Sequence, residues 1–549
     1  MTAHRKNGGK GADIWCYSLF GAVALYSLYI LIFYVSNCRE RWLYSMPLLF
    51  LALFSSWFST RVTLFVFAGS IPFISGISFR ICPLPFNILN AIFAAVYLAW
   101  FVRHIFLSRK DIRPRTQAGF FIDLLSSVIL LSLFSVLILY PFDYWTGRIW
   151  HLGSLSKAHE LYGIHASYIF LQGLFFFRLL EINDQPEKTG RFFRYAFCAQ
   201  ACTILLLAGY QVFLGDTTWM DAPSFRNRGI YLPLDDIHSY GSFLILLLSV
   251  FLFSIKGASG SRKWMNVGVT VLLIFCVVLS FSRAAYLALL FVFVLYLGSV
   301  LNRKKVATFA VVLCVLSMGL FVLLPEKWRV PSTSYTLGHF KTTHTFMYRI
   351  FRWRVSLDMI KTAPLTGLGM GGHYRLYPYY SKDADLPDEW RTPAREGPEN
   401  AHHYFIQFAS DLGIPTLFLL IFVLLLAFFR AFKAHPKSRE DGSMRNGLMA
   451  GVAGYLFTCL LGHPLLLSNQ QFLFWFAVAG MSLIPTTTGD FRVGYLYSRR
   501  TFRISIAVFV TLLLAGYLYK GLTFREWRGF ELGYHPHEQR DVIKVRCDL

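Results

Sequence analysis

"GSFLILLLSVFLFSIKGASGSRKWMNVGVTVLLIFCVVLSFSRAAYLALLFVFVLYLGSVLNRKK", residues 241–305, decides the fold. Three apolar runs, near 236–255, 264–281 and 284–301, each approach the ~20 residues that a transmembrane helix needs. The first two are separated by the basic "KGASGSRK", the next two by little more than Arg283, and the third ends in "NRKK". Lipid offers the backbone no hydrogen-bond partners, and a helix satisfies its own. The stretch therefore predicts helices that cross a bilayer back and forth.

Working outward, further runs of this kind lie near 14–36, 43–58, 62–79, 84–107, 118–140, 161–181, 193–213, 306–324, 413–432, 446–466, 469–485 and 503–520. Only 15% of the 549 residues are charged, against about a quarter in ordinary soluble chains. The expected fold is all-α, a polytopic membrane protein with about 12–15 transmembrane helices. The first run is too long and uninterrupted for a cleavable signal peptide. The nine cysteines show neither a CxxC nor a metal-ligand spacing.

The chain carries a formal charge of +23, from 53 Lys and Arg against 30 Asp and Glu. In this context the excess belongs to loops on one side of the membrane rather than to a nucleic-acid partner. "HRKNGGK" (4–10), "SRKDIRPR" (108–115), "KTGRFFR" (188–194), "KGASGSRK" (256–263), "NRKK" (302–305), "RAFKAHPKSRE" (430–440) and "YSRRTFR" (497–503) all fall on the same side when the runs are counted. Basic loops face the cytoplasm. The opposite side receives 214–235 and one long loop, 325–412, which carries no run able to span and contains short helices. Loops of that length in compact chains are commonly functional. The chain divides into N-terminal spans (1–213), central spans (214–324), the long loop (325–412), C-terminal spans (413–520) and a tail (521–549).

The outward side gathers the residues with chemistry to offer. In "FMYRIFRWRVSLDMIKTAP" (346–364), Phe346, Ile350, Trp353, Leu357 and Ile360 recur at helical spacing. Arg349, Arg352 and Arg354 lie beside them, and Pro364 ends the helix. Either this is an interfacial amphipathic helix whose arginines reach headgroups, or the arginines form an anion site, since guanidinium binds phosphate oxygens bidentately. "PLTGLGMGGHYRLY" (364–377) is a Gly-rich turn able to wrap phosphates with backbone N–H groups or simply to reverse the chain. Arg283 sits at the outward end of a span, as a functional cation or one that snorkels to water. Arg226 and Arg228, in "RNRGIYLPLDDIHSYG", share the other outward loop. In "ENAHHYFIQFASDLGIP" (399–415), His402 and His403 point about 100° apart on a helix, which disfavours one shared metal. An imidazole, titrating near 6.5 when unperturbed, suits a general base. No metal or other cofactor is expected.

In order and spacing, "SFSRAAYLALL", "YRIFRWRVSLDMIKTAPLTGLGMGGH" and "NAHHYFIQFASDLGIPTLFLLIFVLL" resemble the O-antigen ligase and O-antigen polymerase superfamily over about 220–485. The family shows an SRG-like motif, an Arg and Trp before a P-x-x-G-x-G turn, and an HN motif before G-I-P-G. Arg283 matches the first arginine, Arg349 the one before the Trp, His402 the histidine, and Arg228 resembles an upstream outward arginine. Here His403 replaces the asparagine, Ala284 the SRG glycine and Thr416 the last glycine, so either adjacent imidazole is open as the base. The resemblance implies a metal-independent, inverting glycosyltransferase of the bacterial inner membrane with its active site facing the periplasm. Its donor would be an undecaprenyl-diphosphate-linked glycan and its acceptor lipid A-core or another glycan. His402, Arg283 and Arg349 would be catalytic, with Arg226, Arg228, Arg352, Arg354 and His403 at the substrates. Ligase chemistry is the first expectation and polymerase chemistry the second. A transporter of lipid-linked anionic sugar is the alternative of another class, disfavoured because the arginines lie at span ends and in loops rather than along a midplane path.

Overall fold

The structure is a computed structural model that describes residues 9–37, 42–76, 88–104, 107, 112–139, 158–213, 237–300, 344–383, 400–484, 511, 513 and 515–517. The runs at 306–324 and most of 503–520 lie outside these residues, as do Arg226 and Arg228. All regular structure described is helical: α1 (Gly9–Asn37), α2 (Trp42–Gly76), α3 (Ile88–Arg103), α4 (Gln117–Leu139), α5 (Ala158–Ile182), α6 (Pro186–Phe213), α7 (Ile237–Gly257), α8 (Gly260–Leu279) and α9 (Arg283–Val300) precede the long loop. Within that loop lie α10 (His344–Thr362), α11 (Gly372–Asp383) and α12 (Tyr404–Leu412). α13 (Ile414–Lys433), α14 (Arg439–Cys459), a 3-10 turn (Pro464–Leu466) and α15 (Ser468–Leu483) follow. Nine of the described helices are long and apolar enough to cross a membrane, and the protein is an all-α, multi-pass membrane protein.

α2 holds two of the expected runs. It breaks at Ser59, whose φ of −151° and ψ of 84° are not helical. The Ser56 hydroxyl donates to the Val96 carbonyl at 2.9 Å, while Phe67 packs on Phe93. A straight helix would separate positions 56 and 67 by about 16 Å, yet their partners on α3 are one turn apart. The chain turns back at Ser59, and residues 43–58 and 62–76 lie side by side along α3.

The buried charge of Arg178 is paired, as a low-dielectric interior demands. Arg178 on α5 donates to Asp123 on α4 at 2.7 Å, to Glu181, and to the Ile112 carbonyl at 2.8 Å. α14 packs against α7 through small residues: a Cβ on Gly447 would stand 2.7 Å from the Ser249 carbonyl oxygen. Close helix contact of this kind is how membrane bundles gain dispersion energy where lipid competes for apolar surface.

The order of the elements sets the polarity of the molecule. α8 starts in the basic "KGASGSRK" and α9 returns to "NRKK", so the turn at Arg283 lies at the far end. α13 runs from the long loop down to "RAFKAHPKSRE", and α14 climbs back. The run 446–466 does not continue as one helix: α14 stops at Cys459, and Gly462, His463 and Pro464 form a turn at the same end as Arg283. Pro464 has no N–H to extend the ladder, and so begins the 3-10 turn instead.

Candidate functional site

The site is built on short helices held against one another by backbone. The Gly-rich turn docks on the end of α12: Leu368 N–H donates to the Ser410 carbonyl at 2.8 Å, Gly369 N–H to the Asp411 carbonyl at 2.9 Å, and Gly367 and Gly372 N–H close the turn on Ala363 and Gly369. These four N–H groups serve the fold, so the turn acts as a joint rather than as a phosphate cradle. Gly367, at φ +64°, leaves no room for a Cβ against the Asp411 carbonyl. The Asp411 carboxylate accepts from His373 N–H at 2.7 Å, and His373 Nε2 lies 2.7 Å from the Ser356 hydroxyl. α10, α11 and α12 are thereby tied together through buried groups.

The two histidines are not equivalent. His403 is the N-cap of α12: its φ is −152° and its Nδ1 accepts from Ile406 N–H at 3.3 Å. That contact occupies the Nδ1 lone pair, so in a neutral ring the proton sits on Nε2. Burial lowers the pKa of His403 below the ordinary imidazole value, which favours that neutral ring. His402 stands one residue earlier in the left-handed region, at φ +50°. A non-glycine residue there costs about 1–3 kcal/mol and needs surroundings that fix it. Gln407 supplies them: its Oε1 accepts from Ala401 N–H and its Nε2 donates to the Asn400 side chain, both at 3.1 Å. On the other flank Tyr404 N–H donates to the Gly462 carbonyl at 3.0 Å. The clamp sets the His402 ring edge-to-face on His463, with centroids 4.7 Å apart.

Arginines complete the site. Ser282 Oγ accepts from Ala285 N–H at 3.4 Å at the start of α9, placing Arg283 in the first turn, where the helix dipole is positive. Arg349 on α10 has its pKa pushed down by burial and then by the positive fields of Arg283 and Arg352. Guanidinium groups from two distant parts of the chain thus stand near enough to repel. Neither Arg283 nor Arg349 is in an ion pair with a carboxylate among the described residues. One turn on from Arg349, Trp353 sets its ring edge-on to His403 at 5.5 Å, linking the arginine helix to the histidine loop.

α10 buries a different face from the one its apolar spacing predicts. Phe351, Arg352, Val355, Ser356 and Met359 face inward, whereas Ile350 and Leu357 are exposed. The neighbours of the inner face are α11 and α12, with their own polar groups, so Ser356 and Arg352 belong inside. Arg354 is exposed and sits roughly 200° around the helix from Arg352. The structure thus groups Arg283, Arg349 and Arg352, joins that helix to His402 and His403, and leaves Arg354 apart. His463, Gln407, His373 and Asp411 were not singled out by the sequence. The one available signal was "GHP", an ionisable residue and a proline breaking an apolar run.

Residues 268–421 match the family model described as O-antigen ligase. This segment is similar to O-antigen ligases. It contains Arg283, Arg349, Arg352, His402 and His403 and stops short of His463. Over 121 residues the chain is 29% identical to the exopolysaccharide production protein ExoQ of Rhizobium meliloti (strain 1021). That alignment covers 22% of this chain, and the chain spans about a quarter, 27%, of the curated relative it matches.

Proposed function

We propose that the protein is a ligase- or polymerase-type enzyme of polysaccharide synthesis, and that it moves a glycan from undecaprenyl diphosphate to a hydroxyl acceptor such as lipid A-core. The observation that carries this reading is the junction of two unlike parts: Arg283 and Arg349, which repel one another and are in no ion pair with a carboxylate among the described residues, and a clamped imidazole pair joined to them through Trp353 and His403. Cations held together at that cost await an anion, and a diphosphate supplies it.

In the proposed step His402 takes the proton from the acceptor hydroxyl. The oxygen attacks the anomeric carbon, a new C–O bond forms, and the old bond to the diphosphate breaks with inversion. The diphosphate leaves with the electron pair, its charge held by Arg283, Arg349 and Arg352. His403 does not compete for the proton, since its acceptor nitrogen caps α12. The family's asparagine at this position has the same use: both side chains are acceptors able to cap a helix. His463 supports the ring of His402. Basic segments at the opposite end of the bundle support a cytoplasmic location for that end and a periplasmic site in an inner-membrane protein. Similarity to an exopolysaccharide production protein supports a second reading, in which the acceptor is another lipid-linked glycan and the product a longer polymer.

The test is transfer in detergent. Purified protein given lipid-linked glycan and a lipid A-core acceptor is expected to yield a new covalent product without a second compartment. Product with lipid-linked glycan alone identifies the polymerase. No product with either acceptor, together with movement of donor across a vesicle membrane, overturns the enzyme reading in favour of transport.

A further inference from the structure

At the basic end, far from the site above, a cavity of about 340 Å³ opens between α2, α3 and the α5–α6 connection. It falls in the size range of small-ligand sites. Its wall includes Arg61, Arg103, His104 and Lys188 and no aspartate or glutamate. The break at Ser59 shapes it, because the turn exposes the Phe58 carbonyl, which accepts from Arg103 Nη1 at 2.9 Å.

Two of the three permanent cations, Arg61 and Arg103, are held by neutral groups. Arg61 Nη2 donates to the Gln185 carbonyl at 3.1 Å and to the Thr189 hydroxyl at 3.3 Å, and its guanidinium lies over the Phe192 ring at 4.7 Å. Arg103 has the Phe58 carbonyl. Lys188 is exposed, with no hydrogen bond from its ammonium among the described residues. None of the three is in an ion pair there, and Asp184, whose field reaches Arg61, instead accepts from the Thr189 hydroxyl. Two other cations at this end meet carboxylates: Arg194 meets Asp441 at 2.8 Å and Arg262 meets Glu440 at 2.9 Å. The cavity is therefore a concave spot whose positive charge no ion pair among the described residues neutralises. It has Trp100 as an aromatic wall, and it sits where the basic loops of a membrane protein meet headgroups.

We propose that this cavity binds a phosphate group, and that the phosphate is the phosphodiester of an anionic phospholipid entering from the adjacent leaflet. The fixed guanidinium groups of Arg61 and Arg103 take its oxygens, and Lys188 closes the rim. Nothing in this proposal depends on the transfer reaction.

The experiment is native mass spectrometry and thermal unfolding of the full chain in detergent, titrated with phosphatidylglycerol, phosphatidylcholine or inorganic phosphate. Phosphatidylglycerol is expected to be retained and to raise the melting temperature. Lys188→Gln, at an exposed side chain the fold does not use, should weaken retention about tenfold, the loss of one charge-assisted contact. Arg103→Gln should do at least as much, and Arg262→Gln, outside the cavity, should do nothing. Stabilisation by inorganic phosphate but not by lipid, lost in Lys188→Gln, keeps the phosphate chemistry and overturns the lipid as its source. Equal retention of phosphatidylcholine, or lipid and phosphate binding unchanged in both cavity variants, overturns the site.

Discussion

The two ends of this molecule treat positive charge in opposite ways. At the basic end and in the bundle beside it, Arg178, Arg194 and Arg262 each meet a carboxylate. At the other end Arg283 and Arg349 have no such partner among the described residues, and Arg349 bears the repulsion of its neighbours as well as partial burial. Arg178, Arg194 and Arg262 are thus neutralised by the fold itself. A cation that is left unneutralised and crowded makes sense only with an anion brought from outside. The cavity around Arg61 and Arg103 belongs to the second kind although it lies at the first end.

The sharpest way to break the comparison is at the imidazole. His402→Ala is expected to lower transfer by about 10²–10⁴-fold, the usual contribution of a general base, with the helical circular dichroism unchanged. Transfer near normal would remove His402 from the chemistry and leave the arginines without a partner in the reaction.

Next come the arginines. Arg283→Lys and Arg349→Lys keep the charge but lose the planar fork, and each should cost about 10–100-fold in transfer rate. Arg194→Lys at the basic end retains a point charge beside Asp441 and should leave transfer within about twofold, since exposed ion pairs contribute little. Equal losses at both ends would show that charge placement serves folding throughout.

The smallest effect separates the adjacent histidines. His403→Ala removes a cap and should destabilise by about 0.5–2 kcal/mol, while His403→Asn keeps the cap and most of the activity. The pH dependence has a definite sign. Burial lowers the folded pKa of His403, so the unfolded chain binds the proton more readily. Its contribution is complete above the unfolded imidazole value of about 6.5 and is lost as pH falls through the folded value. Melting temperatures at pH 7 and pH 5 should therefore differ more in the wild type than in His403→Asn. No difference between the two would show that the His403 imidazole does not set the pH dependence.

Much of this was legible because bilayer crossing leaves a local mark. Runs of apolar residues announce the spans, and even the turn at Ser59 shows as the gap between 43–58 and 62–79. Arg283, Arg349 and His402 stood out as polar groups at outward ends. What escaped depends on partners distant in the chain. His463 lies inside an apolar run, and only folding sets it against His402. The inward face of α10 is chosen by α11 and α12, so Val355 and Ser356 are buried while the regularly spaced Ile350 and Leu357 are not. Gln407 looks like an ordinary helical residue until its amide is seen gripping Asn400 and Ala401.

Gly413 ends α12 and starts α13, at φ +83°, with no space for a Cβ against the Leu365 carbonyl. One residue is all that separates the short helix that begins beside His402 from a segment that crosses the membrane. The imidazole has no slack: its height above the bilayer is dictated by how deeply α13 is seated. An acceptor must come to that level, and a membrane of altered thickness would shift the reacting groups past one another without touching a single contact within the site.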